Sequence, residues 1–364
     1  MTFKNNLFKK NVLRIAGIIV TFAVAGLMIG SPAHAQTTVG GGGASFSALL
    51  MQECAKDFNA SAGSGGYVVQ YASVGSSGGL RGFANGTYAF GGTDSAYSSN
   101  KPTFPWTYVP ISGGGIAIPV NLKGTNGRPI GGSINISQEN LAKIFAGQIP
   151  TWNNSALKKD NERIWKLMPN TPVTVVYRAD GSGTTNNFLQ YLNAWRPDIF
   201  SKVQNDMSTA FIGGVPPVNS ISGPQNAGVM GQVAMRDGAI GYVDLGDAIK
   251  ANATVANIQN AKGQFVKATI SSIAKNLSEQ TNVSSEGIVL LNYNVNSDGV
   301  YPIGIFTYAL LRVGSKTAAS LGSNAFVKYL IQTCGSQRAM SIGYVPLEGK
   351  ILAVANNLLA RAES

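Results

Sequence analysis

One junction in the middle of the chain constrains its fold most: an apolar strand-like run, then a turn of glycines and hydroxyl residues, then a helix. Residues 173–177 have the composition of a buried strand, residues 178–187 read RADGSGTTNN, and the apolar pattern at 188–192 indicates a helix. Glycines let backbone N–H groups approach a ligand, and N–H groups in the first turn of a helix have no intrahelical partner. Arg178 adds a fork-shaped cation. The segment fits either an anion site or an ordinary capped helix start.

Related junctions occur earlier in the chain. Four glycines at 40–43 precede Ser45, which stands where a helix N-cap would stand, and a strand at 67–71 leads to Ser76. A further short strand ends just before Asp94. Alternating strands and helices predict an α/β fold with largely parallel pairing, in which ligands lie beyond the carboxyl ends of the strands. Hydroxyl-rich turns at several such ends are what a converging anion site needs.

The first 35 residues have the pattern of a secretory signal peptide. A basic start, a 15-residue apolar core at 15–29 and the motif Ala33-His34-Ala35 predict cleavage after Ala35. We therefore expect an exported chain of residues 36–364. Loss of the four basic residues of the signal peptide lowers the net charge from +11 to +7. This charge is scattered, whereas nucleic-acid-binding proteins usually present a clustered basic face, so we expect no nucleic-acid partner.

Composition also argues against several kinds of catalysis. The chain has one histidine, His34, which lies in the predicted signal peptide. Cleavage of the signal peptide would leave no histidine, which excludes Ser-His-Asp and Cys-His catalysis and most zinc sites. Residues 75–79 match the G-x-S-x-G pattern around Ser77, but an activated serine needs a base within reach. No Walker or dinucleotide-binding motif is present. We expect a protein that is not an enzyme and that has neither cofactor nor metal site.

Asp94 is unusual beside a predicted anion site. It fits an ordinary turn or cap residue, or else a selectivity device. An ionised aspartate only accepts hydrogen bonds, so it tolerates an oxyanion that still carries a proton, as phosphate does near neutral pH and sulfate does not. The cost of facing a fully ionised ligand is several kcal/mol in a dry site.

The two cysteines, Cys54 and Cys334, fit either a disulfide in an exported protein or two buried apolar residues.

The chain resembles the periplasmic phosphate-binding proteins that feed the phosphate ABC importer. The segments that carry this resemblance occur in the family's order and span nearly all of the predicted mature chain. They are GASF at 43–46, VGSSGG at 74–79, FGGTD at 90–94, LAKIFAGQIPTW at 141–152, RADGSGT at 178–184, GAIGYV at 238–243 and YPI at 301–303.

The resemblance implies a two-lobed type II periplasmic-binding-protein fold of the α/β class, with phosphate held in the cleft between the lobes. Lobe 1 would comprise residues 36–116 and 301–364, and lobe 2 residues 117–300. Asp94 would accept the proton of the ligand, Arg178 would supply positive charge, and Asp180 would orient Arg178. The implied donors of hydrogen bonds to phosphate are Ser45, Phe46, Ser76, Ser182, Gly183 and Thr184.

Partners and location follow from the same resemblance. The implied partners are inorganic phosphate and the permease subunits of an ABC transporter in the inner membrane, and the implied location is the periplasm. We expect a monomer. Both cysteines would fall in lobe 1, so a Cys54–Cys334 disulfide is compatible with the fold.

Two departures from the family pattern stand near the start of the predicted mature chain. The family usually has threonine where this chain has Ser45, and prolines where this chain has Ser47-Ala48-Leu49. The cysteines and the glycine run are also similar to those of DING-type phosphate-binding proteins. That similarity leaves open an alternative role as a secreted phosphatase or as a surface or biofilm-associated protein.

Overall fold

The structure is a computed structural model that describes residues 36–364; the predicted signal peptide at 1–35 lies outside the described residues. The strands of this part of the chain are β1 (Thr37–Gly43), β2 (Tyr67–Ser73), β3 (Phe90–Thr93), β4 (Trp106–Ala117), β5 (Val120–Asn121), β6 (Asn135–Ile136), β7 (Thr174–Arg178), β8 (Ser220–Gly223), β9 (Ala239–Ile240), β10 (Val243–Asp244), β11 (Asn257–Gln259), β12 (Phe265–Lys267) and β13 (Gly304–Arg312). Its α-helices are α1 (Ala48–Ala60), α2 (Gly75–Ala84), α3 (Gln138–Phe145), α4 (Gly183–Trp195), α5 (Gln225–Met235), α6 (Leu245–Lys250), α7 (Ile270–Ser278), α8 (Ala318–Tyr329), α9 (Gly335–Arg338) and α10 (Gly349–Glu363). None of these helices has the length and apolarity needed to cross a lipid bilayer.

The strands form three sheets. A six-stranded sheet has the order β10-β4-β13-β3-β1-β2, a four-stranded sheet the order β5-β9-β7-β8, and a three-stranded sheet the order β12-β11-β6. Parallel pairing joins β1 to β2 and β3, and β7 to β8 and β9. The prediction of largely parallel pairing is wrong, because β13 runs antiparallel between β3 and β4 and the edge strands β5, β10 and β12 are also antiparallel. An apolar run indicates a buried strand but carries no information on its direction.

The glycine run of residues 40–43 belongs to β1, which lies between β3 and the edge strand β2 in the six-stranded sheet. Aromatic rings occupy the space beside this strand: a Cβ added to Gly41 would lie 2.1 Å from the Phe90 ring. Helix α2 crosses equally close to the strand ends, since a Cβ on Gly79 would lie 2.4 Å from the Gly92 carbonyl oxygen. Glycine at these positions therefore brings the start of α2 directly against the ends of β1 and β3.

The segment 239–243, whose apolar composition is that of a single strand, is split between two sheets. Ala239–Ile240 pairs in the four-stranded sheet, and after Gly241 and Tyr242 the pair Val243–Asp244 joins β4 of the six-stranded sheet. This short segment therefore connects the two sheets. The later helix α7 also lies on the six-stranded sheet, with its Leu277 side chain over Gly113 of β4.

A serine stands before each of two helices, and the structure shows a cap at one of them. Ser137 caps α3, accepting a hydrogen bond from the Asn140 N–H. The sequence predicts Ser45 as the cap of the first helix, but that helix begins after Ser47, and neither serine side chain makes a capping hydrogen bond. Ser45 lies two residues before the N-cap position, so its hydroxyl is available for another role.

Cys54 and Cys334 form a disulfide with a Cα–Cα distance of 5.7 Å. It joins α1 to the segment after α8, and both cysteines are buried in the core that covers the six-stranded sheet. The bond closes a loop with a sequence separation of 280 residues. A cross-link over so long a loop removes much conformational entropy from the unfolded chain.

We expect the Cys54→Ala/Cys334→Ala variant to lose about 2–5 kcal/mol of unfolding free energy, the range typical of a native disulfide in an exported protein. Alanine is preferred to serine because it buries no unpaired hydroxyl. Denaturant titration measures the change. Adding a reductant should reproduce the loss in the unsubstituted protein and should leave the double variant unchanged. Equal midpoints for the two oxidised proteins would contradict this prediction.

Candidate functional site

The predicted site residues lie at the carboxyl ends of four strands. Ser45 and Phe46 follow β1, Ser76 follows β2, Asp94 follows β3, and Ser182 to Thr184 follow β7. Since β1, β2 and β3 are parallel neighbours, their ends meet at one edge of the six-stranded sheet. The end of β7 faces that edge from the four-stranded sheet.

The two groups of residues contact each other directly. A Cβ added to Gly183 would lie 2.5 Å from the Ser76 hydroxyl oxygen and 2.7 Å from the Asp94 Cβ. The Asn187 side-chain amide donates to the Asp94 carbonyl oxygen at 2.6 Å, and the Ser77 N–H donates to the Gly181 carbonyl at 3.1 Å. Glycine at 183 thus allows the start of α4 to approach Ser76 and Asp94, where any side chain would hold it away.

Several hydrogen-bond donors converge here without a protein acceptor. Within residues 36–364, the hydroxyls of Ser45 and Thr184 are buried and have no hydrogen-bond partner. In the same part of the chain, no protein acceptor is found for four buried backbone N–H groups, those of Phe46, Ser76, Gly183 and Thr184. Buried donors in folded proteins are nearly always paired. Six unpaired donors at the ends of these strands therefore mark the place of an acceptor-rich ligand.

Arg178 is fully buried at the end of β7 and is held by two neighbours. Its Nε and Nη2 donate to the two carboxylate oxygens of Asp180 at 2.9 and 2.5 Å, and its Nη1 donates to the Asn226 side-chain oxygen at 2.8 Å. A guanidinium has five N–H groups, so two remain, one on each terminal nitrogen. This remaining pair has the fork geometry that binds two oxygens of one tetrahedral anion.

Asp180 orients Arg178 and is in turn fixed by the backbone, since the Gln225 N–H donates to its Oδ1 at 2.8 Å. Partial burial alone would raise the pKa of Asp180, but the hydrogen bonds and charge of Arg178 outweigh burial and lower it. Asp180 therefore stays ionised and contributes the negative charge that stabilises the buried cation.

Within residues 36–364, Asp94 is the carboxylate that lies directly among the unpaired donors. Its Oδ1 accepts from the Thr307 hydroxyl at 2.7 Å, and its Oδ2 lies 3.3 Å from the Ser76 hydroxyl oxygen. Burial raises the pKa of Asp94 to about 7, even though the hydrogen bond from Thr307 and the charge of Arg178 oppose that shift. Asp94 is thus an acceptor whose protonation changes near neutral pH.

Ser182 has a different environment from the other predicted donors. It is the N-cap of α4, its hydroxyl accepts from the Thr185 N–H at 3.1 Å, and its own N–H donates to the Asn205 carbonyl at 2.8 Å. These bonds are those of an ordinary capped helix start. Capping and anion binding therefore share this segment: Ser182 caps the helix, while the next two N–H groups remain unpaired.

The sequence interpretation missed the residues that hold the site in place. Thr307 bonds Asp94, Asn226 bonds Arg178, and the Tyr242 hydroxyl bonds both the Arg178 N–H at 3.2 Å and the Thr185 hydroxyl at 2.7 Å. A usable signal existed for Thr307, a hydroxyl residue within the apolar strand β13. For Asn226 and Tyr242 no local pattern in the sequence points to the site.

Comparisons with known proteins show which family the chain belongs to. The family model described as PBP superfamily domain matches residues 30–333. The phosphate-binding protein PstS of Xylella fastidiosa is 32% identical over 311 residues, which cover 85% of this chain and 81% of that protein. PstS 3 of Mycobacterium tuberculosis is 29% identical over 312 residues, which cover 81% of this chain and 80% of the relative.

Solved structures show the same architecture. A periplasmic phosphate-binding protein named PfluDING aligns with a TM-score of 0.68 and 23% identity, over 89% of this chain and 93% of that one. A phosphate-binding protein of Stenotrophomonas maltophilia aligns with a TM-score of 0.68 and 21% identity, over 89% and 94% of the two chains. The predicted α/β fold of the two-lobed type II periplasmic binding proteins is confirmed. The chain belongs to the PBP superfamily and, within it, to the family of the PstS phosphate-binding proteins.

Proposed function

We propose that this protein binds inorganic phosphate in the periplasm and delivers it to the permease subunits of an ABC-type phosphate importer. The observation that carries the proposal is the convergence of buried unpaired donors, the Arg178 fork and a single carboxylate, Asp94, at the carboxyl ends of strands from two sheets. The names of the relatives, phosphate-binding protein PstS among them, support the same ligand.

The donor set suits a tetrahedral anion with one proton. Unpaired N–H groups at the start of α4 lie at the positive end of the helix dipole, which favours anions. In the proposed complex, Arg178 contacts two phosphate oxygens, and Asp94 accepts the proton of the ligand. Phe46, Ser76, Gly183 and Thr184 donate from the backbone, and Ser45 and Thr184 from their hydroxyls. Ser182 supports the site as the helix cap.

We further propose two lobes that close on the ligand by a hinge motion. Residues 36–116 and 301–364 form lobe 1 and residues 117–300 form lobe 2, with β10 and α7 of the latter range lying against the sheet of lobe 1. Export by the signal peptide at 1–35 would place the monomeric protein in the periplasm.

The site suits binding rather than turnover. The Ser77 hydroxyl accepts a hydrogen bond from the Asn205 side-chain amide at 3.1 Å, and an amide cannot act as the base that would activate a serine.

Isothermal titration calorimetry tests this function. We expect one phosphate per chain, with sulfate bound about 10-fold more weakly at pH 8 and about 100-fold more weakly at pH 9, because sulfate has no proton to match the buried acceptor Asp94. Arsenate, which is also tetrahedral and protonated, should compete with phosphate. Equal affinity for sulfate and phosphate, or no binding of phosphate, would overturn the proposal. Turnover of a chromogenic phosphomonoester that survives stringent purification and is lost in Arg178→Ala would show the alternative phosphatase role.

A further inference from the structure

Arg178 is held from a second side by an amide that is itself anchored. The Asn226 Oδ1 accepts from Arg178 Nη1 at 2.8 Å, and the Asn226 Nδ2 donates to Asp244 Oδ2 at 2.7 Å. All three side chains are buried, and Asn226 is fully so. The three residues therefore form a relay that runs from the anion site to the short strand β10.

The chemistry at both ends fixes the orientation of Asn226. Arg178 offers only donors, so the amide oxygen must face it, and Nδ2 then faces the Asp244 carboxyl group. Turning the amide over would place Nδ2 against the guanidinium and would leave its oxygen without a donor. Asp244 cannot move away easily, since its Oδ1 accepts from the Asp247 N–H at 2.8 Å as the N-cap of α6.

The anchor of this relay belongs to the opposite sheet. Asp244 pairs with Ile116 of β4 in the six-stranded sheet, and strand β3 of the same sheet ends directly before Asp94. Asp180, the other partner of Arg178, lies in the turn after β7 and is a quarter exposed. Asp180 therefore ties Arg178 to its own sheet, whereas the relay ties it to the sheet whose strands lead to Ser45, Ser76 and Asp94.

We propose that Asn226, anchored by Asp244, is a positioning residue for Arg178, and that this amide relay aims the two free N–H groups of Arg178 at the anion. The proposal rests on the proposed phosphate binding. The role of Asn226 is to hold the guanidinium plane of Arg178 at a fixed angle, because the fork contacts two oxygens of the anion only when it is preorganised. Asn226 and Asp244 do not touch the ligand.

Titration calorimetry with inorganic phosphate tests the relay. Asn226→Leu keeps the size of the side chain and removes both hydrogen bonds, and we expect about 10-fold weaker binding or more, the effect of losing one charge-assisted hydrogen bond. Asn140→Leu is the matched control, since the buried Asn140 also donates to a carboxylate, Asp160 Oδ2 at 2.7 Å, but has no contact with Arg178. It should leave the affinity unchanged. Equal losses in both variants would overturn the proposal.

A double-mutant cycle separates positioning from a general structural effect. In the Arg178→Lys background, Asn226→Leu should change phosphate affinity by less than about twofold, because the fork that it positions is gone. An undiminished 10-fold effect in that background would contradict the relay. If Asn226→Leu does not fold, Asp244→Asn serves instead. Asp244 accepts hydrogen bonds from the Asn226 amide and the Asp247 N–H, and the amide donor of an asparagine would face one of these two donors.

A measurement without ligand distinguishes failure of the relay from failure of the proposed function. The guanidinium NMR signals of Arg178, assigned by their loss in Arg178→Lys, should be protected from exchange in the unsubstituted protein and in Asn140→Leu. In Asn226→Leu they should shift and broaden. Unchanged signals in Asn226→Leu would contradict the relay even if the unsubstituted protein binds phosphate. If the signals shift in Asn226→Leu but the unsubstituted protein does not bind phosphate, only the proposed function is overturned.

Discussion

We expect the Arg178→Met variant to bind phosphate at least about 1,000-fold more weakly than the unsubstituted protein, which corresponds to about 4 kcal/mol. Methionine fills a similar volume but offers neither charge nor donors. The two free N–H groups of Arg178 lie in a buried site, where water cannot replace them. Removing one partner of a buried charge pair costs about 3–5 kcal/mol, and here the second partner is the ligand. Calorimetry and competition with labelled phosphate both measure the loss.

The chain contains a matched control for this substitution. Arg196 donates through Nε and Nη2 to Asp198, two residues further on, at 2.8 and 2.5 Å. The same contacts join Arg178 to Asp180, but the pair at 196 and 198 lies at the surface. Arg196→Met should therefore leave phosphate affinity unchanged. If both methionine variants lost affinity alike, the effect would belong to the Arg-x-Asp motif as a structural element rather than to the site.

Arg178→Lys should give an intermediate result. Lysine keeps the charge but offers a single ammonium group, which cannot contact Asp180, Asn226 and the ligand with the geometry of a fork. Asp180 is a quarter exposed and still accepts from the Gln225 N–H, so both variants at 178 should fold. Thermal unfolding without phosphate checks this point. Full phosphate affinity in Arg178→Lys would show that charge alone is sufficient.

The parts of the site that the sequence could predict are those encoded locally. The segment from Arg178 to Thr184 holds a strand end, a flexible turn and a helix start within seven residues, so its composition alone predicts either an anion site or a capped helix start. The surroundings of Asp94 were beyond such reasoning. Thr307, which bonds it, lies 213 residues away. Only the pairing of β13 with β3 brings the two together.

Local reasoning failed where tertiary packing overrides propensity. Four consecutive glycines have a low strand propensity, yet residues 40–43 form part of a strand paired on both sides, because aromatic rings such as Phe90 fill the space beside them. The segment 239–243 has the composition of a single strand, yet Gly241 separates two short strands in different sheets. In both cases the partner that decides the structure is remote in sequence.

The second large effect concerns Asp94, and we expect Asp94→Asn to abolish the discrimination between phosphate and sulfate. Asparagine occupies the same volume but presents a donor where the carboxylate oxygen accepted, and Thr307 still finds an acceptor on its amide oxygen. Phosphate loses its proton acceptor, while sulfate gains a donor. Sulfate then no longer needs a protonated side chain at this position, so its affinity should rise about 10-fold at pH 8 and about 100-fold at pH 9. Calorimetry with both anions at pH 9 measures the ratio, and unchanged discrimination would refute the role of Asp94.

The same substitution should stabilise the protein in the absence of ligand. Because the pKa of Asp94 is raised by burial, its proton favours the folded state. This contribution is complete below about pH 4, the ordinary pKa of an aspartate, and is lost as pH rises through about 7. At pH 8 the unsubstituted protein therefore carries the full cost of a buried charge. Asp94→Asn should unfold at a higher temperature at pH 8, and the difference should shrink as the pH is lowered.

The pH dependence of sulfate binding follows from the same group and is the sharpest test of its role. A protonated Asp94 with sulfate carries the same number of protons as an ionised Asp94 with singly protonated phosphate. Sulfate should therefore bind only the protonated form, and its affinity should fall about tenfold for each pH unit above about 7, the pKa of Asp94, and level off below it. In Asp94→Asn the affinity for sulfate should be flat across this range. A sulfate affinity that does not change with pH in the unsubstituted protein would show that protonation of Asp94 does not control sulfate binding.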